Sequence, residues 1–305
     1  MLRNETRRAT FRKFLRKGGK MRLTAFIMAG VLLSGAAVAE EVSKPESSLK
    51  ANFRRVGLEL SSTNVANAAQ YQDSPVSQLS ADGQTVTKGV FDFVAEYSHG
   101  NMRWNNGVLL EYGKIRLEPY DEPSESNETA DKILAYTEYA HRLFNIYSAD
   151  FGPMLNAEYQ TEFTANDGAE RMRVYRGKAG MTIFDGTIVK DLYFAGVVEY
   201  DITYPEHVNK FALEAGWRLE YKPADNLLFT TDGYYRRYLS YSQYVPEDFR
   251  YDFSANARMD ASLNSKLSLG PFLSYRRAHS RQADAAGSNF TIGIAFSYKN
   301  VFDLL

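Results

Sequence analysis

A period-two alternation of apolar and polar side chains is the feature that most constrains the fold of this 305-residue chain. Residues 211–221 show it most clearly. One face carries Phe211, Leu213, Ala215, Trp217, Leu219 and Tyr221, and the other carries Ala212, Glu214, Gly216, Arg218 and Glu220. A helix has a period of 3.6 and would scatter these groups over its whole surface. The same pattern recurs at 151–163, 192–204 and 249–261. These four segments are therefore predicted to be β-strands.

Eight further segments alternate more weakly, which brings the predicted number of strands to about twelve. They are 53–62, 88–98, 102–116, 132–143, 171–184, 227–240, 266–278 and 289–299. The pattern is blurred at 132–140 and 171–180, so the register there is open. Short turns alternate with longer connections, which fall at roughly 63–87, 117–131, 164–170, 205–209, 241–248 and 279–288. Strands of about 10–13 residues suit a membrane crossing, which takes about 9–11, better than a soluble sheet.

Aromatic residues gather near both ends of the predicted strands. Those near the short turns are Tyr97, Trp104, Phe151, Phe184, Tyr221 and Tyr298; those near the longer loops are Phe163, Tyr204, Phe211, Tyr235, Phe249, Tyr275 and Phe290. Two aromatic belts are typical of a protein that crosses two membrane interfaces. The alternative is a large soluble β-sandwich or β-barrel, which has no use for such belts.

The first 39 residues are predicted to be a signal peptide. Arg22 precedes the apolar run 23–34, and the small residues Ala37 to Ala39 precede Glu40; Met21 is the expected start. The apolar run is too short to cross a bilayer as a helix. Cleavage after Ala39 removes nine Lys/Arg and one Asp/Glu, leaving 27 basic and 36 acidic groups and a net charge of −9. Such an acidic chain is a poor partner for nucleic acid, although the basic stretch 1–20 taken alone fits a nucleic-acid-binding arm.

The last predicted strand resembles the C-terminal β-signal of bacterial outer-membrane barrels. The residues that carry the resemblance are Thr291, Gly293, Phe296 and Tyr298. The resemblance implies an antiparallel up-and-down β-barrel in the outer membrane, surrounded by lipid and lipopolysaccharide and inserted by the barrel-assembly machinery. With an even number of strands, both termini lie in the periplasm and the longer loops lie outside. We expect a short periplasmic segment at 40–50, the barrel at 51–299 and a tail at 300–305.

The barrel lumen is the expected functional region. Its predicted lining includes acidic residues on the middle strands, Glu158, Glu162, Glu199, Asp201, Glu214 and Glu220, and the basic residues Arg218, Arg236, Arg250, Arg258 and Arg276. Separate acidic and basic walls would set a transverse field across a pore. Alternatively, the charges pair with one another and have only a structural role.

A passive pore or substrate-specific channel for small solutes is the function that these patterns favour. A non-conducting structural or adhesive barrel is the second hypothesis, and an outer-membrane hydrolase is the third. Four histidines, His99, His141, His207 and His279, lie in no hydrolase motif. No cofactor or metal site is predicted: there is no cysteine, and the acidic loop 118–131 lacks the ordered spacing of a calcium loop. The oligomeric state is open.

The connection 63–87 carries one further hypothesis because it is the longest. A loop of this length in a compact domain is usually functional or disordered. We weigh two interpretations: the loop folds over or into the barrel mouth and meets Arg236 and Arg250, or it is a mobile surface loop.

Overall fold

The structure, a computed structural model, describes residues 47–71, 74, 76–80, 85–117, 125–164, 170–203, 205–244 and 248–305. The predicted signal peptide, residues 40–46 and Tyr204 lie outside the described residues. Across the described part of the chain, no helix is long and apolar enough to cross a membrane.

Among the described residues, twelve long strands and one strand of three residues form a single antiparallel sheet. In chain order they are β1 (Ser47–Ala66), β2 (Thr85–His99), β3 (Met102–Leu117), β4 (Glu125–His141), β5 (Phe144–Ile146), β6 (Ala149–Thr161), β7 (Arg173–Phe184), β8 (Val189–Asp201), β9 (Val208–Ala224), β10 (Leu227–Tyr241), β11 (Phe249–Ser262), β12 (Leu267–Ser280) and β13 (Gly287–Asp303).

The sheet is closed, so the predicted twelve-stranded antiparallel up-and-down barrel is confirmed. Each long strand pairs with its neighbours in sequence, β4 pairs directly with β6 past the short β5, and β1 pairs with β13. The β1–β13 ladder runs from Lys50↔Asp303 to Ala66↔Ser288. Closure pairs every edge strand, which is the condition for a sheet to exist inside a lipid bilayer.

The strands at the chain ends are longer than expected. β1 begins at Ser47 and β13 continues to Asp303, so the barrel includes part of the expected periplasmic segment 40–50 and most of the expected tail 300–305. Both ends of the described chain lie at one end of the barrel, where the amide of Leu304 donates to the carbonyl of Leu49 at 2.8 Å. We call this the terminus end. The opposite end, where β1 and β2 are joined, is the plug end.

The distribution of side chains is the inverse of that in a soluble protein. Large apolar residues are exposed on the outside: Leu155 is 59% exposed, Phe194 is 58% and Val198 is 57%. Charged residues are buried inside, with Glu214 at 1% and Asp260 at 2%. An apolar outer wall around a polar interior is the pattern of a barrel that faces lipid.

Prolines and irregular pairing occur together in this barrel. Pro153 lies between the segment of β6 that pairs with β5 and the segment that pairs with β4. Pro271 pairs with Ile294 on one side and faces a gap in the β11–β12 ladder on the other. A proline has no amide hydrogen to donate to a ladder, so both lie where a donor is not required.

Two predicted belt aromatics point inward instead. The register of β11 shifts between Phe249 and Tyr251, and Phe249 packs on the buried clusters inside the barrel. Phe184 is 1% exposed, and Cζ of Arg103 lies 4.7 Å from the centroid of the Phe184 ring. The first error arose from the bulge, which a strict period of two does not anticipate. The second arose from the blurred alternation of β7.

Candidate functional site: the barrel lumen

The connection between β1 and β2 turns back into the barrel mouth. It forms a 3-10 turn at Ala68–Tyr71 and a one-turn helix at Ser77–Ser80, which we together call the plug. Leu79 is fully buried and Tyr71 is 2% exposed. The prediction that this connection folds into the mouth is confirmed for these described residues, and the mobile-loop alternative is wrong for them.

Polar contacts attach the plug to β12, β13 and the connection between them, next to β1. The side-chain oxygen Oε1 of Gln78 accepts a hydrogen bond from Nη1 of Arg276 at 3.1 Å, and the Gln78 carbonyl accepts one from Nδ2 of Asn289 at 2.8 Å. The hydroxyl of Tyr71 donates to the carbonyl of Ala285 at 2.9 Å. The plug therefore meets Arg276; the predicted partners Arg236 and Arg250 were wrong.

An apolar cluster lies at the plug end around these contacts. Its buried members are Tyr71, Val76, Leu79, Met172, Val174 and Ala278. We call this cluster the seal. A second buried cluster of Val197, Ala212 and Tyr238 lies beside it, and Phe249 packs on both. An apolar layer inside the lumen opposes the passage of water and ions.

Ion pairs fill the next layer towards the terminus end. The carboxylate of Glu199 lies 2.6 Å from Nε of Arg176, and the carboxylate of Glu214 lies 2.5 Å from Nη2 of Arg236 and 2.8 Å from Nζ of Lys178. We call these five residues the ion-pair belt. Tyr193 also donates to Glu214 at 2.6 Å. Each carboxylate has several partners, which is how buried charges are tolerated.

The predicted acidic wall therefore does not face a separate basic wall. Its carboxylates pair with cations on the same group of strands: Glu158 lies 2.6 Å from Nζ of Lys178, and Asp201 lies 2.7 Å from Nζ of Lys210. On this side of the lumen the arrangement matches the alternative interpretation, in which the charges pair with one another.

The remaining predicted residues divide between the lumen and the rim. Arg218 pairs with Glu220 at 3.1 Å, Arg258 with Asp260 at 2.9 Å and Arg276 with Asp252 at 2.9 Å, all inside the barrel. Glu162 is buried at the plug-end rim, where it accepts the amide of Met172 at 2.9 Å. Arg250 is exposed and donates to the carbonyl of Arg281 at 3.2 Å, so its predicted place in the lumen was wrong.

The described part of the predicted acidic loop 118–131 is strand. β4 begins at Glu125, and 118–124 lie outside the described residues. Asp131 is buried and accepts the amides of Phe163 and Thr164 at 2.6 and 2.8 Å. It therefore holds the connection after β6 rather than standing free in solvent.

A series of polar cavities runs from beneath the plug towards the terminus end. The largest, about 380 Å³, is lined by residues including Gln78, Lys132, Arg276, Ser254 and Arg218, and we call it the lumen cavity. Arg54 and Asp191 line it and also two smaller cavities, of about 160 and 130 Å³. The smallest reaches Ser98, next to the last residue of β2 at the terminus end.

Several lumen charges were absent from the predicted set. They are Arg54, Arg55, Glu59, Lys88, Arg103, Glu111, Lys132, Glu138, Arg176, Lys178, Asp191 and Lys210. Most lie on strands whose alternation was weak, and β1 carries register shifts between Phe53 and Val56. The run Lys132, Leu134, Tyr136 and Glu138 at spacing two was a usable signal, because period-two spacing places these side chains on one face.

The four histidines lie at the ends of the barrel and contact different kinds of partner. Nδ1 of His99 lies 2.9 Å from the Ser47 hydroxyl, and Nδ1 of His207 lies 2.8 Å from the Tyr200 hydroxyl. Nε2 of His279 is 3.1 Å from the carbonyl of Ala283, and His141 stacks on Tyr139. Among the described residues, no group of three or more His, Cys, Asp or Glu has the arrangement of a metal site.

The residues of the β-signal-like motif lie on β13 with their predicted alternation. Phe296 is 44% exposed on the outer wall, whereas the hydroxyl of Thr291 donates inside to Oδ1 of Asn289 at 2.9 Å. Gly293 is required by close packing, since a Cβ there would lie 2.3 Å from the carbonyl oxygen of Leu60. Tyr298 pairs with Val56 and Leu267 and lies four residues before the aromatic Phe302, which pairs with Ala51.

A closed antiparallel barrel with an apolar outer wall and a charged interior defines an integral outer-membrane β-barrel. The chain is similar in fold to an outer membrane channel from Pseudomonas putida F1, with 12% identity, a TM-score of 0.44 and coverage of 87% of this chain and 100% of that one. It is also similar to the outer membrane channel DcaP of Acinetobacter baumannii, with 9% identity, a TM-score of 0.41 and coverage of 86% of this chain and 100% of that one. A third similar structure is outer membrane phospholipase A from Escherichia coli, with 9% identity, a TM-score of 0.39 and coverage of 88% of this chain and 96% of that one. No family model and no curated protein sequence matches the chain. These similarities describe the fold and assign no activity.

Proposed function

We propose that the chain is a plugged channel for small solutes, with its terminus end in the periplasm and its plug end at the cell surface. The observation that carries the proposal is the series of polar cavities from Gln78 to Ser98 beneath one short plug. Barrels of eight strands are filled by side chains and those of 16–18 strands leave open channels. Twelve strands with a folded-in connection lie between these cases.

The proposed orientation follows from loop length. Apart from the β4–β6 connection, which contains β5, the connections at the terminus end are short, such as the turn between β2 and β3, where Gly100 has φ = 54°. The β1–β2 and β11–β12 connections illustrate the difference: the former holds the plug, the latter runs only from 263 to 266. Outer-membrane barrels have short periplasmic turns and longer outer loops.

Single-channel recording in planar bilayers tests the proposal. The experiment compares the wild type with a variant in which residues 67–84, the connection that holds the plug, are replaced by a short Gly-Ser linker. We expect rare or no openings in the wild type and steady conductance in the variant, because the seal loses Tyr71, Val76 and Leu79. A Gly-Ser exchange of residues 165–169, in the connection between β6 and β7, is the matched control and should not open the pore.

A non-conducting structural barrel is the second candidate, and the ion-pair belt favours it. Arg176, Lys178 and Arg236 cross-link β6 to β10 through Glu158, Glu199 and Glu214 beneath the seal. If the linker variant is as silent as the wild type, the belt alone closes the lumen. That result would replace the channel by a structural or adhesive role.

We also propose that lipopolysaccharide contacts the outer wall near the plug end. Arg237 and Arg277 are exposed there and are register partners of the aromatic residues Tyr251 and Phe253 of β11. Arginine binds phosphate by paired hydrogen bonds, and tyrosine favours the membrane interface. The double substitution Arg237→Gln and Arg277→Gln should lower the lipopolysaccharide that co-purifies with the barrel, whereas Lys222→Gln, on the terminus-end half of β9, should not.

A further inference from the structure

Lys132 is a lumen cation without an ion pair or hydrogen bond among the described residues. It lies on β4 opposite Glu111 of β3 and lines the lumen cavity. The carboxylate of Glu111 is 3.3 Å from Nζ of Lys88, which is also 2.8 Å from Glu59. Glu59 in turn pairs with Arg55. Three cations therefore share two carboxylates, which leaves one positive charge in surplus.

Nearby carboxylates outside this cluster are committed elsewhere or lie further from the plug. Glu158 pairs with Lys178 at 2.6 Å. Asp92 is the register partner of Leu109, one inward position nearer the terminus end than Glu111, and contributes to the electrostatic environment of Arg54. The part of the lumen cavity that lies beneath the plug therefore carries a surplus of positive charge.

A second cation, Arg276, lies at the border between this region and the plug. Its Nη2 and Nε donate to the carboxylate of Asp252 at 2.9 and 3.2 Å. Its remaining terminal nitrogen, Nη1, donates to Gln78 at 3.1 Å. A neutral amide is a weak partner for a guanidinium compared with an anion. Arg276 therefore retains capacity for an anionic ligand.

The cavity also has the size and lining of a small-molecule site. Its volume of about 380 Å³ lies at the lower end of the range of ligand pockets, roughly 300–1,000 Å³. The hydroxyl groups of Ser254, Ser274 and Thr230 line it, and the buried Oγ1 of Thr230 has no hydrogen-bond partner among the residues that the structure describes. A small polar metabolite fits these groups better than an apolar one.

We propose that the lumen cavity binds a small organic anion whose carboxylate or phosphate group is held by Lys132 and Arg276. The ligand enters through the terminus-end cavities and competes with Gln78 for Arg276, which weakens one of the plug's attachments. The inference names a ligand class for the channel proposed above, but it concerns binding and does not require that the barrel conducts.

Thermal unfolding of the purified barrel in detergent tests the proposal. A ligand that binds only the folded state raises the unfolding midpoint, by about 2–4 °C for a protein of this size at roughly tenfold excess over Kd. Succinate and inorganic phosphate are the probes, and chloride at equal ionic strength is the reference. We expect succinate, phosphate or both to raise the midpoint of the wild type above the chloride value. Which probe does so distinguishes a carboxylate site from a phosphate site.

Substitutions at Lys132 distinguish a specific site from a general salt effect. Lys132→Gln should abolish the shift, whereas Lys132→Arg keeps the charge and should retain most of it. Lys114→Gln removes an exposed lysine from β3 and should leave the shift unchanged. An equal shift in Lys132→Gln, or no shift in the wild type with either probe, overturns the proposal. Should Lys132→Gln fail to give a heat-modifiable barrel, the wild-type and Lys132→Arg measurements still decide.

The binding and conduction experiments fail separately. If the anion stabilises the barrel and the plug-linker variant does not conduct, the proposed binding site is supported and the proposed channel is contradicted. If the linker variant conducts but neither anion stabilises the barrel, the proposed channel is supported and the proposed binding site is contradicted.

Discussion

At the scale of single residues, the stability of the barrel depends on buried lumen charges, each of which needs its ion-pair partners. Glu214 is 1% exposed and holds Arg236, Lys178 and the hydroxyl of Tyr193. Removing one member of a buried ion pair leaves an uncompensated charge and costs about 3–5 kcal/mol, whereas a solvent-accessible pair contributes about 0–1 kcal/mol.

We therefore expect Glu214→Gln to lower the free energy of unfolding by about 3–5 kcal/mol. Glu220→Gln is the control, because its pair with Arg218 is about a quarter exposed, and it should cost no more than about 1 kcal/mol. Urea unfolding in lipid vesicles measures both. Similar small losses in the two variants would mean that water enters the belt and screens it.

A second residue-scale prediction concerns the outer wall. Ala215 is exposed on β9 between Phe194 and Tyr235, near the middle of three strands. A lysine or arginine at this depth costs about 2–4 kcal/mol, so Ala215→Lys should reduce the amount of folded barrel in vesicles. Thr230 lines the lumen cavity opposite Glu220, so Thr230→Lys should be tolerated.

The choice of this control shows the limit of the sequence pattern. Ala212 and Gly216 have the predicted inward facing, but neither has room for a long side chain. Ala212 is 1% exposed within an apolar cluster, and a Cβ on Gly216 would lie 2.4 Å from the ring of Tyr193. Period two predicts the direction in which a side chain points; it does not predict the space available there.

At the scale of structural elements, the plug is held by one large apolar contact and a few hydrogen bonds. Leu79 is fully buried in the seal. Truncating a buried leucine costs about 2–5 kcal/mol, and here the loss falls on the plugged state because the barrel ladders do not depend on it. Leu79→Ala should therefore increase the frequency of single-channel openings. Leu239→Ala removes an equal side chain from the outer wall, where it is 48% exposed, and should leave that frequency unchanged.

If Leu79→Ala and the wild type open equally seldom, the seal is not what closes the lumen. The linker variant then distinguishes the rest of the plug from the ion-pair belt.

A second element-scale prediction concerns β13 as an assembly signal. Phe296→Ala with Tyr298→Ala should leave export intact and lower insertion into the outer membrane, because the barrel-assembly machinery is expected to bind this strand. Tyr251→Ala with Phe253→Ala removes two aromatics at the same spacing from β11 and should have a smaller effect. Heat-modifiable barrel in outer-membrane fractions measures insertion. Equal effects of the two pairs would indicate lost membrane contacts rather than a lost signal.

The strands were predictable from sequence because burial in a lipid-facing barrel imposes a strict period of two. β9 is predicted at 211–221 and observed at Val208–Ala224, and Glu199, Glu214 and Arg236 lie inside as expected. The tertiary partners were not predictable in the same way. Arg276 contacts Gln78 across 198 residues of chain, and no local pattern contains that pairing. Bulges, as at Phe249, shift the pattern by one residue without marking the sequence.

At the scale of the whole molecule, the barrel is polarised along its axis. The plug end contains apolar clusters, the ion-pair belt lies beneath them on the β6–β10 side, and the polar cavities run from beneath the plug towards the terminus end. This asymmetry makes the loop-exchange and anion-binding experiments informative, since each changes one layer and leaves the other layers present.

The hydrogen bond between Leu304 and Leu49 indicates that the chain could be circularly permuted. Because the first and last strands run side by side to the same rim, a short linker would join them without bending the wall, and new ends could be opened in another connection. Such a circular permutant should refold from urea into the same barrel. Inside the cell it would present a different final strand to the insertion apparatus. The strand pairing that determines the fold is thus distributed around the closed sheet, whereas the insertion signal depends on which strand is last in the chain.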